Sequence, residues 1–402
     1  MVTLERFWRR HRRTVLRVAI VAMAVLAALK LGDEFDRLLF RPTADRGAED
    51  LEKFVEITQQ WFSGQPTYHE IEDAVYPPAS YTLLWPLAGW LPLAAVRWLW
   101  GALSVGALAW LGWIFVRESG AEGRDEIVLV VLLLLSLNAV GATIGMGQLG
   151  LLQLPLLIAP VLALRRRPPS LALDLAVALA VLFALVKPNV SAPFFWLILF
   201  IPGRIRPAAL VVTAYLLLTA VAMAHQTTGA GQFTAAEVTT DSVLRGLDGL
   251  RWGATHGGYG NIHTWLGQAG LSALNLSASL AVLGVFGFWL LKNRAADPWL
   301  LLGITGIVSR MWAYHRVYDD LLILLPMLAL FRIAKAGTLE SPRVAVAGSL
   351  LAITVVAMLA PARVQHFPQP WSGLFIWGHT LVWLADLVFL VHVVRSGRVA
   401  TA

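Results

Sequence analysis

Apolar runs of roughly 15 to 23 residues recur along the whole chain, with short polar segments between them. A helix needs about 20 apolar residues to cross the hydrocarbon core of a membrane, because its backbone groups are then satisfied internally. The pattern therefore predicts an all-α polytopic membrane protein with roughly 12 transmembrane helices. We expect one integral-membrane domain over residues 1–402, with extracytoplasmic loops at 33–78 and 225–271.

The segment from Pro77 to Pro92 does not fit this pattern cleanly. It has prolines at positions 77, 78, 86 and 92, and proline interrupts a helix interior. It is either a short helix that dips into the outer leaflet or a true crossing, and the choice changes the count of helices in the first half.

Positive charge indicates the orientation. The basic start RFWRRHRR precedes the apolar run from Thr14 to Leu31, and Lys and Arg stay on the cytoplasmic side, so we expect an uncleaved first helix and cytoplasmic termini in the cell (inner) membrane. Other basic clusters predict cytoplasmic turns: Arg165 to Arg167, Arg204 with Arg206, Lys292 with Arg294, Arg332 with Lys335, and Arg395 with Arg398. The alternation places these polar segments on the extracytoplasmic face: 33–78, Gly147 with Gln148, Lys187 to Asn189, 225–271, Arg310 to Arg316, and 362–371.

One polar stretch in the first loop, from Glu49 to Phe62, has helical periodicity. Its apolar residues fall on one side of a helical wheel and its charged and amide residues on the other. This predicts an amphipathic juxtamembrane helix that lies along the membrane surface and ends near Gly64. The apolar side contains Leu51, Phe54, Val55, Ile57, Thr58, Trp61 and Phe62.

Asp50 breaks this division, because it falls on the apolar side of the wheel. A carboxylate in an apolar setting costs solvation free energy and needs a reason. One explanation is a structural role, since aspartate at a helix start caps free amide groups. The other is a general base placed where a lipid-borne substrate arrives. Asp45, Glu72 and Asp73 are rivals, but they do not lie on the apolar side of a predicted helix.

Composition narrows the classes of protein. Of the 402 residues, 57% are hydrophobic and 14% charged, and the mean hydropathy is +0.66. The chain has no cysteine, which excludes disulfides and thiol chemistry. Its net charge of +7 comes from short clusters beside apolar runs, a distribution typical of membrane topology and not of a nucleic-acid surface.

Two segments around Asp50, DLEKFVEITQQWFSGQPTY and YPPASYTLLWPLAGWLP, resemble the first extracytoplasmic loop of glycosyltransferase family 87. Three later segments resemble that family in the same order: GMGQLGLLQLPLL, LFALVKPNV and SRMWAYHRVYDDLLILLPML. The chain departs from the family's pattern at Val55, where a second aromatic residue is common, and at Gly150, where asparagine is usual. The residues that match the loop motif are Asp50, Gly64, Tyr68, Tyr76, Pro77 and Pro78.

The resemblance implies a bundle of the GT-C type and an inverting transfer of a sugar from a polyprenyl phosphate. It implies that Asp50 is the general base, and the leaving phosphate then needs cations to stabilise its charge. No cofactor and no metal site are predicted from the residues. The candidates for binding the donor phosphate are Lys187, Arg310, His315 and Arg316.

Structural alternatives exist for these cations. Lys187 could be a lysine that extends to the membrane interface. Arg316 could pair with Asp319 or Asp320, each within one helical turn. Arg310 and His315 favour the site, because a buried charge in a membrane helix usually has a partner or a role.

The candidates for the substrate pocket come from several segments. In HGGYGNIHTW, His256 and His263 lack further ligands at zinc spacing, and the glycines favour either a mobile flap over a sugar or an ordinary solvated loop. Gln148 could bind a sugar hydroxyl or satisfy a turn. The full set is Tyr68, Tyr76, Gln148, Tyr259, Asn261, His263 and Trp312.

Two functions remain in contention at this point. The first is a membrane mannosyltransferase that uses a polyprenyl-phosphate donor and a glycolipid or cell-envelope glycan acceptor on the extracytoplasmic face. The second is a transporter or flippase of a lipid-linked or amphipathic substrate, which explains intramembrane charges but not a long acidic loop. Inverted repeats, which are common in transporters, are not visible in the sequence.

Overall fold

The computed structural model describes residues 2–65, 67–228, 234–255, 260–337 and 341–399, and every regular element in these parts is a helix. Short 3₁₀ turns, among them Val317–Ile323, connect some of the α-helices. The α-helices in chain order are α1 Val2–Leu39, α2 Glu49–Phe62, α3 Thr67–Glu70, α4 Pro78–Ala88, α5 Leu93–Ser119, α6 Arg124–Ser136, α7 Asn138–Met146, α8 Gly150–Arg166, α9 Leu171–Ala184, α10 Pro188–Leu199, α11 Ile205–Thr228, α12 Ala235–Thr255, α13 Ile262–Gln268, α14 Asn275–Asn293, α15 Pro298–Met311, α16 Leu324–Lys335, α17 Pro342–Leu359 and α18 Trp371–Val399.

Six of the described helices are long and apolar enough to cross a membrane, and the pair α6 and α7, bent by 48°, would make a seventh. This agrees with a polytopic membrane protein. Helices α9, α10 and α15 are apolar but shorter than the roughly 20 residues that a crossing needs. The expected number of roughly 12 crossings therefore stays a prediction. The long helices are Arg13–Leu39, Leu93–Ser119, Ile205–Gln226, Ser272–Asn293, Pro342–Leu359 and Trp371–Gly397.

Several basic clusters meet at one end of the bundle, which we call the basic end. Glu118 at the end of α5 pairs with Arg166 and accepts a hydrogen bond of 2.9 Å from Trp299 Nε1. Arg332 donates to the backbone carbonyl of Glu118, and Arg165 donates to the carbonyl of Ala296 at 2.8 Å. The end of α8 is thus joined to the start of α15 and the end of α16. The side of the membrane on which this end lies stays a prediction.

Helix α2 runs from Glu49 to Phe62, as its periodicity predicts, and Gly64 follows it with a φ of 77°. Its apolar side is buried, but it packs on protein and not on lipid. Trp61 Nε1 donates to the carbonyl of Ala222 in α11 at 2.9 Å, and Gln59 donates to the carbonyl of Leu91 at 2.9 Å. Helices α4 and α11 cover the apolar side, so this side does not face lipid, and the location of α2 along the membrane surface stays a prediction.

Two further segments differ from expectation. Helix α1 continues to Leu39, beyond the apolar run that ends at Leu31, because Leu38 is buried and Glu34 pairs with Arg37 one turn later. The loop at 225–271 is largely helical, since it contains α12 and α13.

The segment from Pro77 to Pro92 forms α4, which has 11 residues and is therefore about 16 Å long. This is too short to cross a bilayer core of about 30 Å. Helix α5 starts beside the start of α2, since Arg97 donates to the carbonyl of Gly47 at 2.6 Å. The short length of α4 therefore favours the alternative in which the segment from Pro77 to Pro92 dips into the outer leaflet and does not cross the membrane.

Candidate active site

Five buried side chains form one continuous hydrogen-bonded chain, which we call the polar chain. The Gln148 Nε2 group donates to Asp50 Oδ2 at 2.8 Å, and Lys187 Nζ donates to Gln148 Oε1 at 3.1 Å. Lys187 Nζ also donates to Asp319 Oδ1 at 2.7 Å. His315 Nδ1 donates to the other oxygen of Asp319 at 3.0 Å. The fold therefore connects four of the residues proposed from the sequence, and Asp319 links two of them.

Asp50 is the second residue of α2, and it does not cap the helix. The residue before the helix is Ala48, which adopts a left-handed conformation with φ 52° and makes no side-chain cap. The Ala48 N–H donates to the carbonyl of Gly145 at 3.0 Å, which joins the start of α2 to the end of α7. The interpretation of Asp50 as a capping residue is wrong, because its carboxylate is directed to Gln148 instead.

Gln148 is held by the turn between α7 and α8. Gly147 has a φ of 71°, and the Gln148 N–H donates to the carbonyl of Thr143 at 2.8 Å. A Cβ atom on Gly147 would collide with the side chain of Leu51. Glycine is therefore needed for both the backbone conformation and the close approach of α2.

Replacing Gly147 with alanine should destabilise the protein and reduce its activity. The left-handed backbone costs about 1–2 kcal/mol, and the collision with Leu51 adds about 1–3 kcal/mol of overpacking. Gly120 is a matched control, since its φ is 70° and no atom lies within 4 Å of an added Cβ. The unfolding midpoint followed by tryptophan fluorescence should fall further for Gly147→Ala than for Gly120→Ala. Equal shifts would show that contact with Leu51 has no role.

Lys187 lies between α9 and α10, directly before Pro188, which begins α10. Its side chain is 4% exposed, and its ammonium group lies 4.7 Å from the centre of the Tyr318 ring. The alternative of a lysine that extends to the membrane interface is wrong, because the side chain is directed into the bundle. A buried ammonium is retained only where carboxylate and amide oxygens compensate its charge, and here Asp319 and Gln148 do so.

The two carboxylates of the polar chain differ in their electrostatics. Burial raises the pKa of Asp50, although the Gln148 hydrogen bond and the charges of Lys187, Lys53 and Arg316 oppose this effect. Burial acts in the same direction on Asp319, but Lys187 and His315 outweigh it and hold the pKa of Asp319 below its ordinary value. Asp50 is thus the carboxylate more suited to accept a proton.

The other two cationic candidates lie beside the polar chain. Arg310 is buried, forms an ion pair with Asp320 and lies 4.9 Å from the centre of the Trp383 ring. Arg316 is half-buried, and its backbone N–H donates to Asp319 Oδ2 at 3.3 Å. The expected association of Arg316 with Asp319 therefore involves the backbone of Arg316. Of the four cationic candidates, Arg316 is the least buried.

Several candidates for the substrate pocket have partners within the fold. The hydroxyl group of Tyr68 donates to the carbonyl of Tyr76 at 2.7 Å, and its ring packs on Trp61. Trp312 Nε1 donates to the carbonyl of Asn189 at 2.7 Å. Tyr76 is half-buried. Burial raises the pKa of its phenol, and the negative charge of nearby Asp50 raises it further. Tyr76 therefore lies close to Asp50, whereas Tyr68 and Trp312 connect helices.

The segment after the glycines is also structural. Asn261 caps α13 by accepting from the Thr264 N–H at 3.1 Å, and His263 Nε2 lies 2.7 Å from Ser279 Oγ. Both side chains are buried, so the expectation of a mobile flap or a solvated loop is wrong for this part. His256 and Tyr259 lie outside the residues that the structure describes.

Sequence reasoning missed Tyr318 and treated Asp319 only as a partner of Arg316. The spacing of four residues between His315 and Asp319 was the available signal, because it suits a side-chain pair on one turn. The rival bases are less suited, since Asp45 and Glu72 are exposed and Asp73 forms a 2.7 Å ion pair with Lys53.

Apolar helices around a buried chain of charged and amide groups define a polytopic membrane protein with a polar site at one end of its bundle. The family model for Glycosyltransferase family 87 matches residues 74–313. The chain belongs to this family, and it is therefore a membrane glycosyltransferase, with which a bundle of the GT-C type is consistent. The matched region contains Gln148 and Lys187, while Asp50 precedes it and His315 and Asp319 follow it. No curated protein and no solved structure matches the chain.

Proposed function

We propose that this glycosyltransferase takes a mannosyl group from a polyprenyl phosphate and transfers it to a glycolipid or cell-envelope glycan. The reaction takes place on the extracytoplasmic face, with inversion at the anomeric carbon and with Asp50 as the general base. Family membership favours a transferase over a transporter or flippase. The sugar, the lipid donor, the acceptor and the side of the membrane are parts of the proposal.

The chemistry requires one base and stabilisation of one leaving group. The acceptor hydroxyl oxygen attacks the anomeric carbon, and its proton passes to the Asp50 carboxylate. The bond between the anomeric carbon and the phosphate oxygen breaks, and its electron pair leaves with the polyprenyl phosphate. Cationic groups beside the site stabilise the charge on that phosphate.

The observation that supports the proposal most directly is the hydrogen bonding of the two Asp50 carboxylate oxygens. One oxygen, Oδ2, accepts a hydrogen bond from Gln148, while Oδ1 makes none within the part of the chain that the structure describes. The residue as a whole is only 8% exposed, and Oδ1 is not among the enclosed oxygen atoms, so a substrate hydroxyl can reach it. A base with one fixed oxygen and one open oxygen suits proton transfer from a positioned hydroxyl.

Among the four cationic candidates, Arg316 is best placed to stabilise the charge of the leaving phosphate. Lys187, Arg310 and His315 are all buried. Arg316 is less buried, and its charge acts on Asp50, so it lies near the base. A guanidinium group also suits phosphate through paired N–H donors.

The proposed reaction can be tested with purified protein in detergent. The protein is incubated with radiolabelled polyprenyl-phosphate-mannose and a membrane lipid extract, and products are separated and analysed by mass spectrometry. We expect transfer of one hexose to a lipid or glycan in the extract. Use of a nucleotide sugar in place of the lipid donor would overturn the donor assignment. Equal use of polyprenyl-phosphate-glucose would overturn the assignment of mannose.

The rate of transfer should depend on pH through Asp50. Only the ionised carboxylate accepts a proton, and burial raises its pKa above the ordinary value of about 3.9. The rate should therefore fall as the pH drops through this raised pKa and reach a plateau above it. Measurement of kcat against pH tests this, with unfolding monitored in the same buffers. An acid limb at or below the ordinary value would contradict the assignment.

A further inference from the structure

Gln148 lies between a buried cation and the proposed base, and its amide group can adopt only one orientation there. The Lys187 ammonium only donates hydrogen bonds, so the Gln148 oxygen must face it. The amide NH₂ then faces Asp50, whose ionised carboxylate only accepts. The two distances of 3.1 Å and 2.8 Å agree with this arrangement.

Lys187 is itself fixed in place. Its ammonium is bound to Asp319, which is bound in turn to His315. Its own backbone carbonyl accepts from the buried side chain of Gln153 at 3.3 Å. The cation that orients Gln148 is thus held by a carboxylate and by the helix junction before α10.

We propose that Gln148 is a positioning residue, and that the Lys187–Asp319 ion pair orients its amide so that the amide holds the Asp50 carboxylate. Lys187 then acts through Gln148 on the base and not directly on the donor phosphate. The observed hydrogen bonds support the way in which the Asp50 carboxylate is held. The effect of this arrangement on catalysis rests on the proposed function.

Other groups near Asp50 could influence its charge, and the test has to separate them. Lys53 lies on the same helix and is paired with Asp73. Arg316 acts from the turn before Val317–Ile323, and the phenols of Tyr76 and Tyr318 lie within electrostatic range. A change confined to Gln148 leaves all of these groups in place.

The test compares wild type with Gln148→Met, which keeps the length of the side chain and removes both hydrogen bonds. Gln226→Met is the matched control, since Gln226 is also a buried glutamine but donates to the carbonyl of Trp61 at 2.8 Å, away from the polar chain. The first readout is an infrared titration of the Asp50 carboxyl group, assigned by subtracting the spectrum of Asp50→Asn. It needs no substrate.

We expect Gln148→Met to move the Asp50 titration to higher pH by about one unit, the value of a hydrogen bond to a charged group. Gln226→Met should leave it unchanged. In the transfer assay, Gln148→Met should lower kcat roughly 10- to 100-fold and move its acid limb by the same shift, with little change in the KM for the donor. An unchanged Asp50 midpoint in Gln148→Met would overturn the positioning role.

Lys187 is tested in the same way, with the double variant Lys187→Met/Asp319→Asn to avoid a lone buried charge. If Lys187 acts through Gln148, kcat should fall and the donor KM should stay close to that of wild type. A large rise in the donor KM at unchanged kcat would show instead that Lys187 binds the phosphate. If wild type consumes no polyprenyl-phosphate sugar, the proposed function fails, while the infrared titration still decides the positioning role.

Discussion

Replacing Asp50 with asparagine should lower the rate of sugar transfer by about 100-fold or more, the range typical of losing a general base. Asparagine has nearly the same shape, so α2 and its contacts with α4 and α11 should persist. The amide cannot accept the proton of the acceptor hydroxyl, although its carbonyl oxygen can still accept the hydrogen bond from Gln148. The measurement is kcat with the lipid-linked donor, together with the unfolding midpoint.

The matched control for this prediction is Glu56→Gln on the same helix. Glu56 is exposed on the opposite side of α2, so removing its charge should change the rate of transfer very little. Transfer by Asp50→Asn at the wild-type rate would eliminate Asp50 as the base. A loss in both variants would indicate that the charge of the helix matters and not the individual carboxylate.

Removing one partner of the Lys187–Asp319 pair should have the largest effect on stability. Both side chains are buried, and an unpaired charge left at such a place costs about 3–5 kcal/mol. Asp319→Asn should therefore lower the unfolding midpoint strongly, since Lys187 and His315 both lose their carboxylate partner. Tryptophan fluorescence during thermal unfolding in detergent is suitable, because the chain has 17 tryptophans.

The control for the ion pair is the double variant Lys187→Met/Asp319→Asn. Replacing a whole buried pair by uncharged groups is often nearly neutral for stability, so most of the lost stability should return. Recovery of stability without recovery of transfer would show that the pair serves the site. If the double variant were as unstable as Asp319→Asn alone, the loss would come from packing and not from the buried charge.

Parts of this arrangement could be predicted from the sequence. The periodicity of the segment from Glu49 to Phe62 predicts both limits of α2 and its buried side, because a helix turns by a fixed angle per residue. Alternation of basic clusters predicts that Asp50, Gln148, Lys187 and His315 lie at the same end of the bundle, and the structure places them in one polar chain.

Other features depend on contacts between distant segments. The sequence offered a helix cap as the simpler role of Asp50, and the direction of its carboxylate depends on the turn at Gly147 that brings Gln148 beside it. Arg310 and Lys187 looked alike as intramembrane cations, yet each has a different aspartate from the adjacent pair Asp319 and Asp320. The 3₁₀ turn at Val317–Ile323 directs these two side chains to different partners, which spacing for an α-helix does not predict.

The sequence by itself determined the helical class of this protein, its membrane-compatible composition and the amphipathic helix that carries Asp50. These features follow from local periodicity and from the cost of exposing backbone groups to lipid. The tertiary structure decided what covers the apolar side of that helix and which carboxylate pairs with each cation. Those outcomes depend on hydrogen bonds between residues about 40 to 130 positions apart in the chain, and local sequence patterns do not specify them.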